Sequence, residues 1–126
     1  SSKTRKAIEL AAMDKAEEHY CSLGWNVEDV SSNHPYDLHC IKPAEVELHV
    51  EVKGTTGDGS SVLLTPGEVK HNEQFPKADL FILHSLNVQE DGSSNVHVSG
   101  GTVIIYSPWN VHAGTLSPIG YEYFPS

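Results

Sequence analysis

Residues 46–53 have the sequence VELHVEVK, which alternates apolar and polar side chains without a break. Successive side chains of a β-strand point to opposite faces of the sheet, so this alternation predicts a strand. Its apolar face consists of Val46, Leu48, Val50 and Val52. Its polar face consists of Glu47, His49, Glu51 and Lys53. This is the clearest strand in the chain, and the other elements are arranged around it.

Helical spacing of apolar residues predicts a helix over residues 3–22, which ends near Gly24. A second helix is expected to run to about Phe75. It begins at Thr65-Pro66-Gly67-Glu68, where Thr65 can cap the helix and Glu68 completes a capping box. Further strands are predicted at 25–30, 36–41, 62–64, 80–86, 96–98 and 102–106. This order predicts an α/β fold with a central mixed β-sheet flanked by helices.

A length of 126 residues favours a single domain over residues 1–126. The chain does not begin with Met, so we expect it to be excised from a larger protein. No apolar run approaches the roughly 20 residues that span a bilayer, and the start lacks a signal-peptide pattern. A cytoplasmic location is therefore expected.

The formal net charge is −9, with only eight Lys and Arg residues. This argues against a domain that binds nucleic acid by charge alone, because phosphate contacts need clustered basic residues. Bound divalent cations would cancel part of the negative charge. Another domain or subunit could supply the remaining contacts to DNA.

Carboxylates and a lysine meet if strand 36–41 pairs with strand 46–53, because Asp37 then approaches Glu51. Two close carboxylates repel, and a divalent cation bound to both removes the repulsion; oxygen ligands suit Mg²⁺ or Mn²⁺. Lys53 beside that cation could orient a water molecule or stabilise a phosphate oxygen. Glu9 lies at the border of the apolar stripe of the first helix. The set predicts a site for phosphodiester hydrolysis.

Simpler interpretations of the same residues stay open. Glu-x-Lys taken alone is mostly the solvated face of an amphipathic strand. His39 and His49 share faces with Asp37 and Glu51 and could contact phosphate, although a solvated strand face also explains them. No His-x₃-His or Cys-x₂-Cys spacing occurs, so zinc is not predicted.

Asp37 followed by Glu51-Val52-Lys53 resembles the PD-(D/E)XK phosphodiesterase superfamily. More narrowly, the chain resembles the domain at the C-terminus of NO VEIN, whose relatives occur in bacterial restriction and defence proteins. Five segments carry this resemblance: residues 7–9 (AIE), 24–27 (GWNV), 36–38 (YDL), 50–55 (VEVKGT) and 64–68 (LTPGE). It covers residues 5 to about 86. It departs from the superfamily pattern at Tyr36, where Pro is expected before the Asp.

The resemblance implies a restriction-endonuclease-like fold and a Mg²⁺- or Mn²⁺-dependent DNA endonuclease. Asp37, Glu51 and the Val52 carbonyl would be metal ligands, Lys53 would contact the attacking water, and Glu9 would contact the metal shell. The role of Thr65 and Glu68 would be structural. A homodimer would be useful, because one site cuts one strand. The alternative is a non-catalytic module of the same fold that binds nucleic acid or protein.

The charge predicts weak, salt-sensitive DNA binding by this chain, because few basic residues are available to neutralise phosphates. The measurement is fluorescence anisotropy of a labelled duplex across a salt series, with and without Mg²⁺. Tight binding at physiological salt without Mg²⁺ would show that the basic residues are more concentrated on one surface than their number indicates.

Overall fold

A computed structural model describes residues 1–120 and 122–125, without the side chain of Glu45. Two helices and five strands follow one another along the chain. They are α1 (Ser2–Ser22), β1 (Asn26–Asp29), β2 (Leu38–Lys42), β3 (Val46–Gly54), α2 (Pro66–Gln74), β4 (Ala78–Glu90) and β5 (Val96–Tyr106). Single 3₁₀ turns lie at Pro43–Glu45 and Val111–Ala113. The predicted α/β class is confirmed.

The strands form one sheet in the order β1-β2-β3-β4-β5. β3 pairs antiparallel with β2 and parallel with β4, and the other two pairs are antiparallel, so the sheet is mixed as predicted. A parallel pair needs a crossover connection. Here the crossover is the segment 55–77, which contains α2. The polar face of β3 therefore lies beneath a connection instead of open water.

Helix α1 covers the opposite face of the sheet. Ala12, Ala16 and Tyr20 of α1 are buried and share one core with the strand residues Leu38, Cys40, Val50, Val52, Phe81, Leu83 and Leu86. At the end of β3, α1 comes so close that a Cβ added to Gly54 would lie 2.9 Å from the Ile8 carbonyl oxygen. This contact fixes the first half of α1 beside the end of β3.

A second core lies on the crossover side of the sheet. Leu80 and Ile82 of β4 pack with Trp109 and Val111 from the segment after β5. The Asn72 side chain of α2 joins them, since it donates to the Trp109 carbonyl (2.9 Å) and accepts from the Val111 N–H (2.8 Å). Burial on both faces contradicts the interpretation of the β3 polar face as solvated, because His49 is 6% and Glu51 4% exposed.

One predicted strand is absent, and two predicted strands are parts of a single one. Residues 62–64 are not a strand. The strands predicted at 96–98 and 102–106 are one strand, β5, which is interrupted at Gly100 and Gly101 by backbone with positive φ. The register passes from His84–Thr102 to Leu86–Gly100, so one residue on each strand is left out of the ladder. Glycine adopts such φ values readily, which explains this local break in the pairing.

Within residues 1–120 and 122–125, none of the helices is both long enough and apolar enough to cross a bilayer.

Replacing Gly54 with Ala tests the close approach of α1 to β3. The added methyl would meet the Ile8 carbonyl oxygen at 2.9 Å and the Ala12 Cβ at 3.0 Å, so helix or strand must shift. Overpacking of this kind costs about 1–3 kcal/mol, which urea unfolding would measure. Gly92→Ala is the matched control, since no atom lies within 4 Å of its added Cβ. Equal stability of the two variants would contradict the close contact.

Candidate metal centre

Asp37 is held in place by three backbone contacts. It lies one residue before β2, where its N–H donates to the Val50 carbonyl (3.0 Å) and its carbonyl accepts from the Val30 N–H (2.9 Å). Its carboxylate Oδ2 accepts from the Val52 N–H (2.8 Å). Because Leu38 is the register partner of Val50, the preceding Asp37 faces Glu51 across the strand pair. The predicted approach of these two carboxylates is present.

A third carboxylate, Glu68 of α2, completes the group. Each of Asp37, Glu51 and Glu68 offers a carboxylate oxygen, and the three oxygens all lie within 4.8 Å of one another. Glu51 is the most buried of them, and its Oε1 has no hydrogen-bond partner among the described residues. A buried oxygen without a hydrogen-bond partner lowers the stability of the folded state unless a proton or a cation is bound nearby.

Lys53 is the cation that faces this group. Its Nζ lies 3.1 Å and 3.2 Å from the two carboxylate oxygens of Glu68, and 3.6 Å from Oε1 of Glu51. Its side chain is 22% exposed, so it is screened from water but can still reach a bound molecule. One ammonium opposite three carboxylates leaves a deficit of positive charge.

Burial and this deficit favour the protonated form of Glu51. Burial, and after it the neighbouring carboxylates of Glu68 and Asp37, together raise the pKa of Glu51 to about 11. Burial also raises the pKa of Asp37, although the bonds from Glu51 and the Val52 N–H oppose this. For Glu68, burial raises the pKa, but bonds from Glu51, the Thr65 N–H and Lys53 outweigh it and bring the pKa to about 2. A divalent cation would take the place of this proton.

Glu68 is the site residue that the sequence interpretation missed. The predicted capping box is present: Glu68 accepts from the Thr65 N–H (2.8 Å), and the Glu68 N–H donates to Thr65 Oγ1 (3.1 Å). The expectation of a purely structural role was incomplete, because the same carboxylate also joins Asp37 and Glu51. The capping pattern fixes the position of Glu68 at the helix start, but only the crossover brings that start over β3.

A cavity of about 680 Å³ opens beside the three carboxylates. Glu9 and Val52 both line it, as predicted for groups near the metal. Glu9 is exposed on α1, however, and is not one of the three carboxylates that lie within 4.8 Å of one another. Arg5 also lines the cavity and adds a second basic side chain to its wall.

The donor set fits Mg²⁺ or Mn²⁺. All three side chains offer carboxylate oxygens, the ligand type that these hard ions prefer. Oε1 of Glu51 has no hydrogen-bond partner among the described residues, so it is the oxygen that a bound cation would satisfy. In the described residues of this cluster no histidine or thiol competes with the oxygens.

The model of the family described as "Protein NO VEIN, C-terminal" matches residues 8–98, well over half of the chain. The match spans β1 to β4 and all of α2, so it includes every carboxylate of the cluster and Lys53. No curated protein and no solved structure matches the chain.

Glu51→Gln tests the buried proton, because an amide resembles the protonated acid but cannot release a proton. The raised pKa of Glu51 means that the folded state holds a proton that the unfolded chain loses above its ordinary value of 4.5. The contribution of Glu51 to stability is therefore full below pH 4.5 and is lost as pH rises toward about 11. In EDTA, Glu51→Gln should lose this decline in the free energy of unfolding.

Urea unfolding at a series of pH values measures the effect, with the exposed Glu18→Gln on α1 as the control. Addition of Mg²⁺ or Mn²⁺ should stabilise the parent chain and the control but not Glu51→Gln. A Glu51→Gln variant with the parent's pH dependence would show that Glu51 is ionised in the folded state.

Proposed function

The chain belongs to the NO VEIN C-terminal family, and from its site we propose that it is a Mg²⁺- or Mn²⁺-dependent endonuclease domain that hydrolyses DNA phosphodiester bonds. The observation that carries this proposal is the cluster of the buried Glu51 with the half-buried Asp37 and Glu68, with Lys53 against it. Holding three carboxylates together, one buried and two partly buried, costs folding free energy, so this grouping supports a cation-dependent role. The helix, three strands, crossover helix and parallel strand also support a restriction-endonuclease-like fold.

Asp37, Glu51 and Glu68 would hold the cation, with the Val52 carbonyl as a further ligand. When bound, a divalent cation at these ligands would supply Lewis-acid chemistry toward a phosphoryl oxygen and an activated water. Asp37 is suited to bind a cation because its position is fixed. Its backbone is hydrogen-bonded to Val30 and Val50, and its carboxylate accepts from the Val52 N–H. The ligand positions are therefore set before any substrate binds.

Lys53 has the position of a group that acts on the phosphate. Its Nζ lies between Glu51 and Glu68 and borders the cavity. From there it can donate to a phosphate oxygen or hold a water molecule in line with the phosphorus. Its pairing with Glu68 limits the positions that the ammonium group occupies.

The cavity supplies contacts for a substrate backbone. Arg5 contributes a guanidinium, and Thr55, Thr56 and Ser61 contribute hydroxyl groups. Arginine and hydroxyl side chains are common donors to DNA phosphates. Glu9 lies on the same wall and would contact the hydrated metal shell. We place this domain in a cytoplasmic restriction or defence protein, in which another domain, or a second copy in a homodimer, assists DNA binding.

A non-catalytic binding module is the second candidate, and two observations favour it. The net charge is −9, and Lys53 is already engaged by carboxylates. A module of this kind would bind divalent cations without cutting DNA. Cleavage therefore separates the two candidates, whereas metal binding does not.

Lys53→Met should reduce nicking of supercoiled plasmid by about 100- to 1,000-fold, the usual cost of removing one donor to a developing oxyanion. Methionine keeps much of the side-chain length but carries no charge. Lys15→Met is the matched control, because Lys15 is exposed on α1 and does not line the cavity. Both variants are assayed in Mg²⁺ and in Mn²⁺, and their unfolding is measured because Lys53 has two carboxylate partners.

If a stably folded Lys53→Met variant nicks plasmid at the rate of the Lys15→Met control, Lys53 takes no part in cleavage. Failure of the parent chain to nick plasmid, while Mg²⁺ or Mn²⁺ still raises its melting temperature, would favour the binding module.

A further inference from the structure

A second group of ligand-type side chains lies on the same face of the sheet, toward the start of β3. His39 of β2 and His49 of β3 are direct register partners. Glu47 precedes His49 by two residues and so lies on the same face. Oε2 of Glu47 is 3.4 Å from Nε2 of His39 and 3.1 Å from Nε2 of His49. The three ligand atoms all lie within 4.8 Å of one another.

The other nitrogen of each imidazole is held by a separate partner. Nδ1 of His39 lies 2.8 Å from the Tyr36 hydroxyl, and Nδ1 of His49 lies 2.8 Å from Nε2 of His71. This arrangement leaves both Nε2 atoms directed at Glu47. Histidines that bind metals in proteins commonly have their second nitrogen bonded in this way, which fixes the ring and its tautomer.

Aromatic stacking fixes the plane of the His49 ring. It lies between the Tyr36 ring (3.8 Å between centroids, 6° between planes) and the Phe75 ring (3.7 Å, 14°). His49 is therefore buried and its orientation is set. The His39 and Glu47 side chains are 21% and 40% exposed, which leaves access for an ion from solvent.

We propose that His39 Nε2, Glu47 Oε2 and His49 Nε2 form a site for a zinc-class divalent ion, with a fourth position open to water. Bond lengths of about 2.0–2.2 Å to nitrogen and oxygen place neighbouring ligands of a tetrahedral zinc about 3.3 Å apart. The separations of 3.4 Å and 3.1 Å from Glu47 Oε2 to the two imidazole nitrogens are close to that value, and the two nitrogens lie within 4.8 Å of each other. A bound ion would link β2 to β3 and would replace the hydrogen bonds that now converge on Glu47.

This site differs in chemistry from the carboxylate centre farther along β3. Two imidazoles and one carboxylate suit Zn²⁺, Co²⁺ or Ni²⁺, whereas three carboxylates suit Mg²⁺ or Mn²⁺. The inference does not depend on nuclease activity, and either site can be present without the other. The difference in preference also allows each site to be studied separately.

The test is Zn²⁺ and Co²⁺ titration of the tag-free chain in excess Mg²⁺, added to saturate any binding at the carboxylate centre. Calorimetry reports stoichiometry and affinity, and the visible absorption of four-coordinate Co²⁺ reports geometry. We expect one equivalent of Zn²⁺ to bind. Glu47→Gln and His39→Gln should each weaken binding at least tenfold, and Tyr36→Phe should weaken it about tenfold by freeing Nδ1 of His39.

His97→Gln is the matched control, since His97 is exposed and pairs with a carboxylate, Asp91, at 3.3 Å. It should bind Zn²⁺ like the parent chain. His49→Phe keeps a ring in the stack while removing both nitrogens, and it should abolish Zn²⁺ binding. If this variant does not fold, the His39 and Glu47 variants still test the site, because both side chains are partly exposed. The absence of saturable one-to-one binding overturns the proposal. Binding that both Glu47→Gln and His39→Gln leave unchanged overturns it equally.

Discussion

The parallel pairing of β3 with β4 is the constraint on which the rest of this structure depends. Two parallel strands cannot be joined by a tight turn, so the chain must cross one face of the sheet between them. The crossover carries α2, and its first turn places Glu68 above Glu51. An antiparallel return would have left the polar face of β3 in water, where its carboxylates would have been ordinary surface groups.

Burial of that face changes the chemistry of its side chains. In water, three carboxylates would remain ionised, with their repulsion screened by solvent. Beneath α2 their charges cannot all persist, and Glu51 keeps a proton while Glu68 stays ionised against Lys53. The same burial holds His49 between two rings at the other end of the strand. One strand face thus carries an oxygen-rich group and a histidine-containing group that prefer different ions.

Much of the carboxylate centre could be predicted before the fold was known. Strand alternation places Glu51 and Lys53 on one face, and the antiparallel pairing of the two strands brings Asp37 opposite Glu51. Glu68 could be recognised as a capping residue but not as a member of the carboxylate cluster, since its contacts with Asp37 and Glu51 depend on where the crossover places the start of α2. The histidine group escaped detection because zinc motifs are recognised by short spacings, whereas His39 and His49 meet across two strands.

The sequence by itself determined the local elements: the α1 stripe, the β3 alternation, the capping box of α2 and the sign of the net charge. These depend on neighbours within a few residues and on composition, which a single chain displays directly. Only the tertiary structure decided that β5 continues through Gly100 and Gly101, that Trp109 closes a second core, and which side chains are buried together. These features depend on contacts between segments far apart in the chain. Strand order, crossover position and burial fix such contacts, and local sequence patterns do not specify them.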